Sequence, residues 1–218
     1  MTTVMEKRLT EAKNYEDEGN FVEALKAYRD VYASDPHSQE AILGLGRVAY
    51  TIGEVECAFD FFVKLLIENH EHAWGYWGRA AVFFAYEQPE RALREVARAL
   101  EYDRPATSLR IDCAVLLNEN GYFEEARCAL AALSKEAYDE DADIEWCYAS
   151  LRCGTPDAYT LSRLAAHEPS LDETTAEAEW LLLHGLHKRL HDVEASRVLI
   201  ARALELDPEL AARAEFAD

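Results

Sequence analysis

Residues 39–72 read QEAILGLGRVAYTIGEVECAFDFFVKLLIENHEH, and residues 73–106 read AWGYWGRAAVFFAYEQPERALREVARALEYDRPA. Laid one under the other, Gly46 meets Ala80, Ala49 meets Phe83, Ala58 meets Ala92 and Phe62 meets Val96, all at a constant step of thirty-four. Working outward at the same step, Ala24 and Ala126 extend the alanine column, Tyr28 and Leu130 the bulky one, Ala12 and Ala114 the small one, and Tyr15 and Leu117 the fourth. Gly19, Gly53 and Gly121 form a further column, with Glu87 standing where a glycine would fall. Several columns that keep register over four copies mark an internal repeat, and a period of about 20–50 residues signals a repeat architecture.

Each copy carries helical spacing. Phe21, Leu25, Tyr28 and Tyr32 recur at three and four residues, as do Ile42, Leu45 and Ala49, and then Phe59, Phe62 and Leu66. Gly19, Gly53 and Gly121 fall between the two apolar stretches of their copies, where a left-handed residue closes one helix before the next begins. Asp35-Pro36 and Asp207-Pro208 end copies in a common way, because proline cannot continue the helix before it but can start the one after. Each copy is therefore a helical hairpin. A hairpin cannot cover both of its faces alone, so stability has to come from stacking on its neighbours, which makes 1–218 one quasi-one-dimensional body.

Composition narrows the function. Lys and Arg number 22 against 42 Asp and Glu, a formal charge of −20, while hydrophobic residues make up 50% of the chain. A chain half apolar can build a core and is not a disordered acidic tail. Its negative field opposes nucleic acid and anionic membrane. The longest apolar run, Ala80 to Tyr86, is bounded by Arg79 and Glu87 and is too short to span a bilayer. The first twenty residues lack an apolar leader core, and the five cysteines form no CxxC pair, so the expectation is a reduced, cytoplasmic protein.

The columns resemble the tetratricopeptide repeat family, whose pattern of a large residue, Leu-Gly, a Tyr-like position, Ala-x-x-x-Phe and a closing Pro is visible in Ile42, Leu45, Gly46, Ala49, Ala58 and Phe62, and again in Ala12, Tyr15, Ala24, Tyr28 and Pro36. The resemblance is firm from Met5 to Glu140. Beyond it, Ile144 to Pro169 reads as a shortened copy through Tyr148, Leu151, Gly154, Ala158 and Leu161, and Glu179 to Pro208 as a sixth through Trp180, Leu183, Leu186, Ala195 and Leu199. The resemblance implies an all-α, right-handed solenoid of about six hairpins, in one domain, with copies near 5–38, 39–72, 73–106, 107–140, 141–174 and 175–208. Residues 209–218 would form a capping helix. The first helix of each copy would line a concave groove.

On that reading a second helical stripe in the third copy, Trp74, Trp77, Ala81 and Phe84, faces the groove beside the packing stripe Tyr76, Ala80 and Phe83. Equivalent stripes are Glu6, Leu9, Lys13 and Glu16, then Glu40, Leu43, Arg47 and Tyr50, and then Ser108, Ile111, Val115 and Asn118. Tyr50, Trp74, Trp77, Phe84 and Ile111 are the candidate peptide-binding residues, with Lys13 and Arg47 placed to meet acidic groups of the ligand. A helix apolar on two faces has to be covered on both. Three large aromatics at about 150–250 Å² each give up to ~10 kcal/mol gross when covered, before the ordering of a partner takes its share.

The carboxylate-clamp branch of the family needs Lys and Asn at positions held here by Leu9, Lys13, Gly44, Trp74 and Gly78, so that clamp is absent. A further likeness, in charge and groove chemistry, is to the acidic tetratricopeptide chaperones of bacterial type III secretion. The expected function is a protein-interaction module, adaptor or chaperone, for a protein or peptide segment that is basic with an apolar anchor; the alternative is a self-assembling scaffold of stacked copies. A metal-dependent sensor or enzyme would rest on His184, His187 and His191, which fall on one side of a helix at i, i+3 and i+7. The blander reading of that face is polar lining. Asp139, Asp141 and Asp143 imitate a calcium loop but have Ile144 where glycine is required and Ser150 where the bidentate glutamate is required, so they read as acids at a helix N-terminus. Gly44-x-Gly46-x-x-Ala49 lies inside a helical repeat with no strand before it, out of context for a dinucleotide fingerprint. No arrangement of nucleophile, base and oxyanion donor is visible, so neither catalysis nor a cofactor is expected. The cysteines read as small buried hydrophobes, with Cys153 beside Gly154 the one that could be exposed.

Overall fold

Four helix-ending turns, one repeat apart from each other, carry the same two hydrogen bonds. Gly19 N donates to Glu16 O, Gly53 N to Tyr50 O, Glu87 N to Phe84 O and Gly121 N to Asn118 O, at 2.9 to 3.1 Å; the next residue in each case reaches the carbonyl five positions back, as Glu54 N does to Ala49 O at 2.8 Å. This pair of bonds satisfies helix-end carbonyls and requires a left-handed residue. The glycines supply it at φ of 72°, 82° and 82°, and Glu87 adopts φ 55° in the same role. The sequence register therefore holds through the copy that lacks the glycine.

The computed structural model describes residues 4–103, 108–133, 139–154, 156–167, 178–189 and 191–215. Among these residues there are thirteen α-helices and no strand, and no helix is long and apolar enough to cross a membrane. The chain divides into two compact units, residues 1–104 and 105–218.

The first unit holds three hairpins: α1 (Val4–Asp17) with α2 (Phe21–Ser34), α3 (Gln39–Thr51) with α4 (Val55–Glu68), and α5 (Ala73–Ala85) with α6 (Pro89–Tyr102). Ser38 caps α3 by accepting from Ala41 N, and Pro89 opens α6, where a missing N–H costs nothing. The small column is buried completely at Ala12, Ala24, Ala58, Ala80 and Ala92. Between these small residues sit the rings. Phe62 is sealed from solvent and packs against Gly46 and Gly78, while Tyr28 packs against Gly44. Full burial of such a ring stabilises by about 2–3 kcal/mol, and helices can close around it only where side chains are missing.

The second unit holds α7 (Leu109–Glu119) with α8 (Phe123–Ala131), α9 (Glu140–Arg152) with α10 (Ala158–Ala166), and α11 (Ala178–Lys188) with α12 (Val193–Leu206). A 3-10 turn at Pro208–Leu210 leads into α13 (Ala211–Glu215), the expected cap. Asp139, Asp157 and Asp192 each start a helix, accepting from Ala142 N, Thr160 N and Ala195 N. Part of the acidic surplus is thus capping chemistry, and Asp139 is a cap as its pattern implied. Ile144, Cys147 and Tyr148 of α9 pack with Leu164 of α10 and with Trp180 and Leu183 of α11. Leu210 closes the end against Ala178, Leu181, Leu182 and Ala203. Pro169 and residues 216–218, which the sequence reading places at the end of the fifth copy and in the cap, lie outside the described residues.

The cysteine expectation is corrected in part. Cys113 and Cys147 are buried, but Cys57 and Cys128 are exposed, and Cys153 is partly buried. The cause is the rotation of α4 and α8: Ala58 and Ala126 take the buried line at 0% exposure, which turns the neighbouring stripe outward.

Candidate functional site

In the first unit the first helices of the three hairpins bring Glu16, Arg47, Trp74 and Trp77 into one line. Glu16 lies near the end of α1, Arg47 in the third turn of α3, and the tryptophans in the opening turns of α5. Arg47 Nη2 meets Glu16 Oε1 at 2.9 Å, and its guanidinium carbon stands 5.8 Å from the centroid of the Trp74 ring. Trp74 and Trp77 contact edge to face, with centroids 5.6 Å apart and planes at 69°. Both are half-buried, so part of each indole faces solvent. Tyr50, one turn after Arg47, is half-buried as well and its hydroxyl donates to Ala81 O across to α5 at 3.5 Å.

Glu16 is held from a second side. Tyr28 Oη donates to Glu16 Oε2 at 2.8 Å. Burial pushes the Tyr28 phenol well above the usual tyrosine range, and the Glu16 carboxylate pushes it further. Glu16 itself keeps 12% side-chain exposure against 41% for Arg47. The arrangement is a carboxylate wedged between a phenol and a guanidinium, with the guanidinium lying against an indole face. Charge-assisted bonds of this kind fix geometry, and a cation over Trp adds about 0.5–2 kcal/mol.

The structure brings together Arg47, Trp74, Trp77 and, through Ala81, Tyr50. Lys13 is exposed on α1 one turn before Glu16. Phe84 is 9% exposed and belongs mostly to the packing. Ile111 belongs to the second unit, where it is 7% exposed and lines a recess of about 370 Å³ with Asp112, Val115, Ile144, Glu145 and Arg213. Arg47 already carries its own counter-ion, Glu16, which the sequence places on a groove stripe without pairing the two.

Of the three candidate histidines, His184 and His187 lie on α11 and His191 lies in the turn after it. His184 Nε2 lies 2.8 Å from the carbonyl oxygen of His167, whose own ring stacks on Trp180 at 4.3 Å. Burial lowers the His187 imidazole, and the neighbouring His184 and His191 add to that. Among the described residues no group of three or more His, Cys, Asp or Glu side chains is placed to hold a metal ion.

Residues 15–74 match the tetratricopeptide-repeat family model. Among solved structures the chain is similar to PilW, described as a widely conserved type IV pilus biogenesis factor, with a TM-score of 0.68 at 17% identity over 99% of this chain and 99% of that one. It is also similar to a tetratricopeptide repeat protein from Parabacteroides merdae ATCC 43184, with a TM-score of 0.63 at 16% identity over 96% and 82% of the two chains. YrrB, described as a TPR protein with an unusual peptide-binding site, gives 0.55 at 18% identity over 88% and 98%. Among the described residues, the six helical hairpins and the recurring left-handed turns give the chain the tetratricopeptide-repeat fold, and residues 15–74 carry the match to the family model.

Proposed function

We propose that this protein is a non-catalytic, cytoplasmic interaction module, an adaptor or chaperone, whose first unit takes a segment of another protein across α1, α3 and α5. The observation that carries this reading is the pair of half-buried tryptophans on α5, braced by Arg47 and Glu16 from two other helices. Rigid indoles offer large contact area at little entropic cost, which is why Trp and Arg dominate binding energy at protein interfaces. Arg47 is neutralised by Glu16, so the anchor of the ligand is apolar, and Lys13 remains for one acidic group at its end. The net charge of −20 favours a ligand that is basic elsewhere. YrrB's description as a protein with a peptide-binding site supports the same use of the fold.

Crosslinking pulldown with the wild-type chain and with Trp77→Ala, each checked by circular dichroism, tests it. A partner recovered by the wild type and lost by a folded Trp77→Ala chain is expected. Equal recovery overturns the reading. Light scattering over a concentration series is expected to show no growth; growing oligomers would replace the adaptor with the scaffold of stacked copies.

A further inference from the structure

The five-residue helix α13 places one cation in the recess of the second unit. Arg213 keeps 15% side-chain exposure, and its Nη2 meets Glu145 Oε1 at 2.6 Å, with Glu145 5% exposed. Its Nη1 stands 4.0 Å from Glu179 Oε1, and its guanidinium carbon 5.2 Å from the Tyr148 ring centroid. The seat is prepared from behind. Asn118 Nδ2 donates to Glu145 Oε2 at 2.7 Å and to the Glu145 carbonyl at 3.2 Å, and Tyr148 Oη donates to the Arg213 carbonyl at 3.2 Å. Asn118 comes from α7, Glu145 and Tyr148 from α9, and Glu179 from α11, all first helices of their hairpins.

The lining of the recess gives this seat its meaning. Ile111 of α7, Glu145 of α9 and Glu179 of α11 stand on the first helices of three successive hairpins. These three line the recess together. The recess is acidic at α9 and α11, and the group seated there is a guanidinium between carboxylates and a ring face. Asp139 and Asp141 line the same recess, so its wall stays acidic with Arg213 seated. A planar cation with forked donors suits such a seat better than an ammonium does.

The geometry points to a binding site for an arginine-bearing helical segment of a partner protein on the first helices of the second unit, occupied in the free chain by Arg213 of its own C-terminal helix. Charge complementarity selects the partner: the recess offers carboxylates, and the residue already seated shows which cation fits. A partner arginine displaces α13, a short helix anchored by Arg213 and, beside it, by the partly buried Ala214. The proposal uses residues of the second unit alone, so its failure leaves the tryptophan face of the first unit untouched.

Titration of the full chain with N-acetylargininamide by calorimetry tests it. Arg213→Ala is expected to bind the probe at least tenfold more tightly than the wild type, and to prefer it at least tenfold over the lysine counterpart. Adding Glu145→Gln to that variant is expected to remove the binding. Equal affinity in wild type and Arg213→Ala, no preference over lysine, or binding that survives Glu145→Gln overturns the proposal. If Arg213→Ala does not fold, the wild type decides by hydrogen exchange. An arginine-bearing helical peptide in excess should speed exchange of the amides of residues 211–215, and unchanged exchange overturns the site.

Discussion

Phe62 and Gly78 sit so close that a Cβ added at residue 78 would lie 2.2 Å from Phe62 Cε1. One copy earlier, Tyr28 and Gly44 repeat the relationship at 2.3 Å from Cζ. The ring of one hairpin thus enters a notch in the next hairpin's first helix. Gly78→Ala gains about 1 kcal/mol of helix propensity but forces a fully buried ring to move, at about 1–3 kcal/mol or more. A net loss of up to about 2 kcal/mol is expected in urea unfolding of the first unit. Gly75→Ala meets the half-buried Leu66 side chain, at 2.8 Å from Cδ2 and 2.9 Å from Cγ, which can turn away, and makes only ordinary contact with Leu65 at 3.6 Å. It should be neutral or stabilising, and equal losses for the two variants would refute the notch.

Glu87 holds φ 55° at a turn where its counterparts are glycines. A left-handed L-residue costs about 1–2 kcal/mol, and a glycine there gives back about 0.5–1 kcal/mol through unfolded-chain entropy. Glu87→Gly is therefore expected to stabilise the first unit by about 0.5–1 kcal/mol, and Gly53→Ala to destabilise it by about 1 kcal/mol. Thermal melts of both variants check the pair of signs.

Cys57 and Cys128 are exposed and Cys113 and Cys147 are buried. Burial, with the charge of Asp143, pushes the Cys147 thiol up to about 12. An aromatic disulfide reagent at pH 8 should label Cys57 and Cys128 within minutes and reach Cys113 and Cys147 only on unfolding. Mass mapping of the first labelled sites decides the order.

Columns at a constant step make the hairpins legible, because helix stacking demands small residues and rings at fixed places. They identify Glu87 as a turn residue despite its side chain. Pairing is less legible. Arg47 and Glu16 both fall on groove stripes, but periodicity fixes which face a residue occupies and says nothing about which rotamer reaches which partner. The second unit is harder still. Gly154 comes one place too early after Gly121 to keep the step, which blurs the register just before α10. Arg213 meets Glu145 from far along the chain, a separation at which no local pattern speaks.

Burial raises the Glu179 carboxyl above the usual glutamate range, Glu145, Asp141 and Asp207 add to that, and Arg213 opposes it. A carboxyl whose folded pKa is raised contributes stability below its unfolded value, and that contribution is lost as pH rises through the folded one. The second unit should accordingly gain stability as pH falls through the raised Glu179 value toward about 4.3, where unfolded glutamate titrates. Glu179→Gln should flatten the slope over that window, followed by denaturant midpoints at successive pH values. A slope unchanged in Glu179→Gln would show that other groups set it.

Glu16 accepts from Tyr28 Oη and pairs with Arg47 at once, so Glu16→Gln tests the brace beneath the tryptophans. The amide keeps the shape and one acceptor oxygen but loses the charge, and about 1–3 kcal/mol of stability should go with it. The alkaline side carries the sharper signature. Since the folded Tyr28 phenol is raised, its stabilising share is whole below about pH 10, where unfolded tyrosine titrates, and disappears as pH climbs through the folded value. Without the Glu16 charge the folded phenol moves down toward the ordinary range, so the variant should lose less stability per pH unit above about pH 10 than the wild type does. Tyrosinate absorbance should show one phenol titrating earlier in the variant. If the titration curves coincide, the Glu16 carboxylate is not what holds the Tyr28 proton.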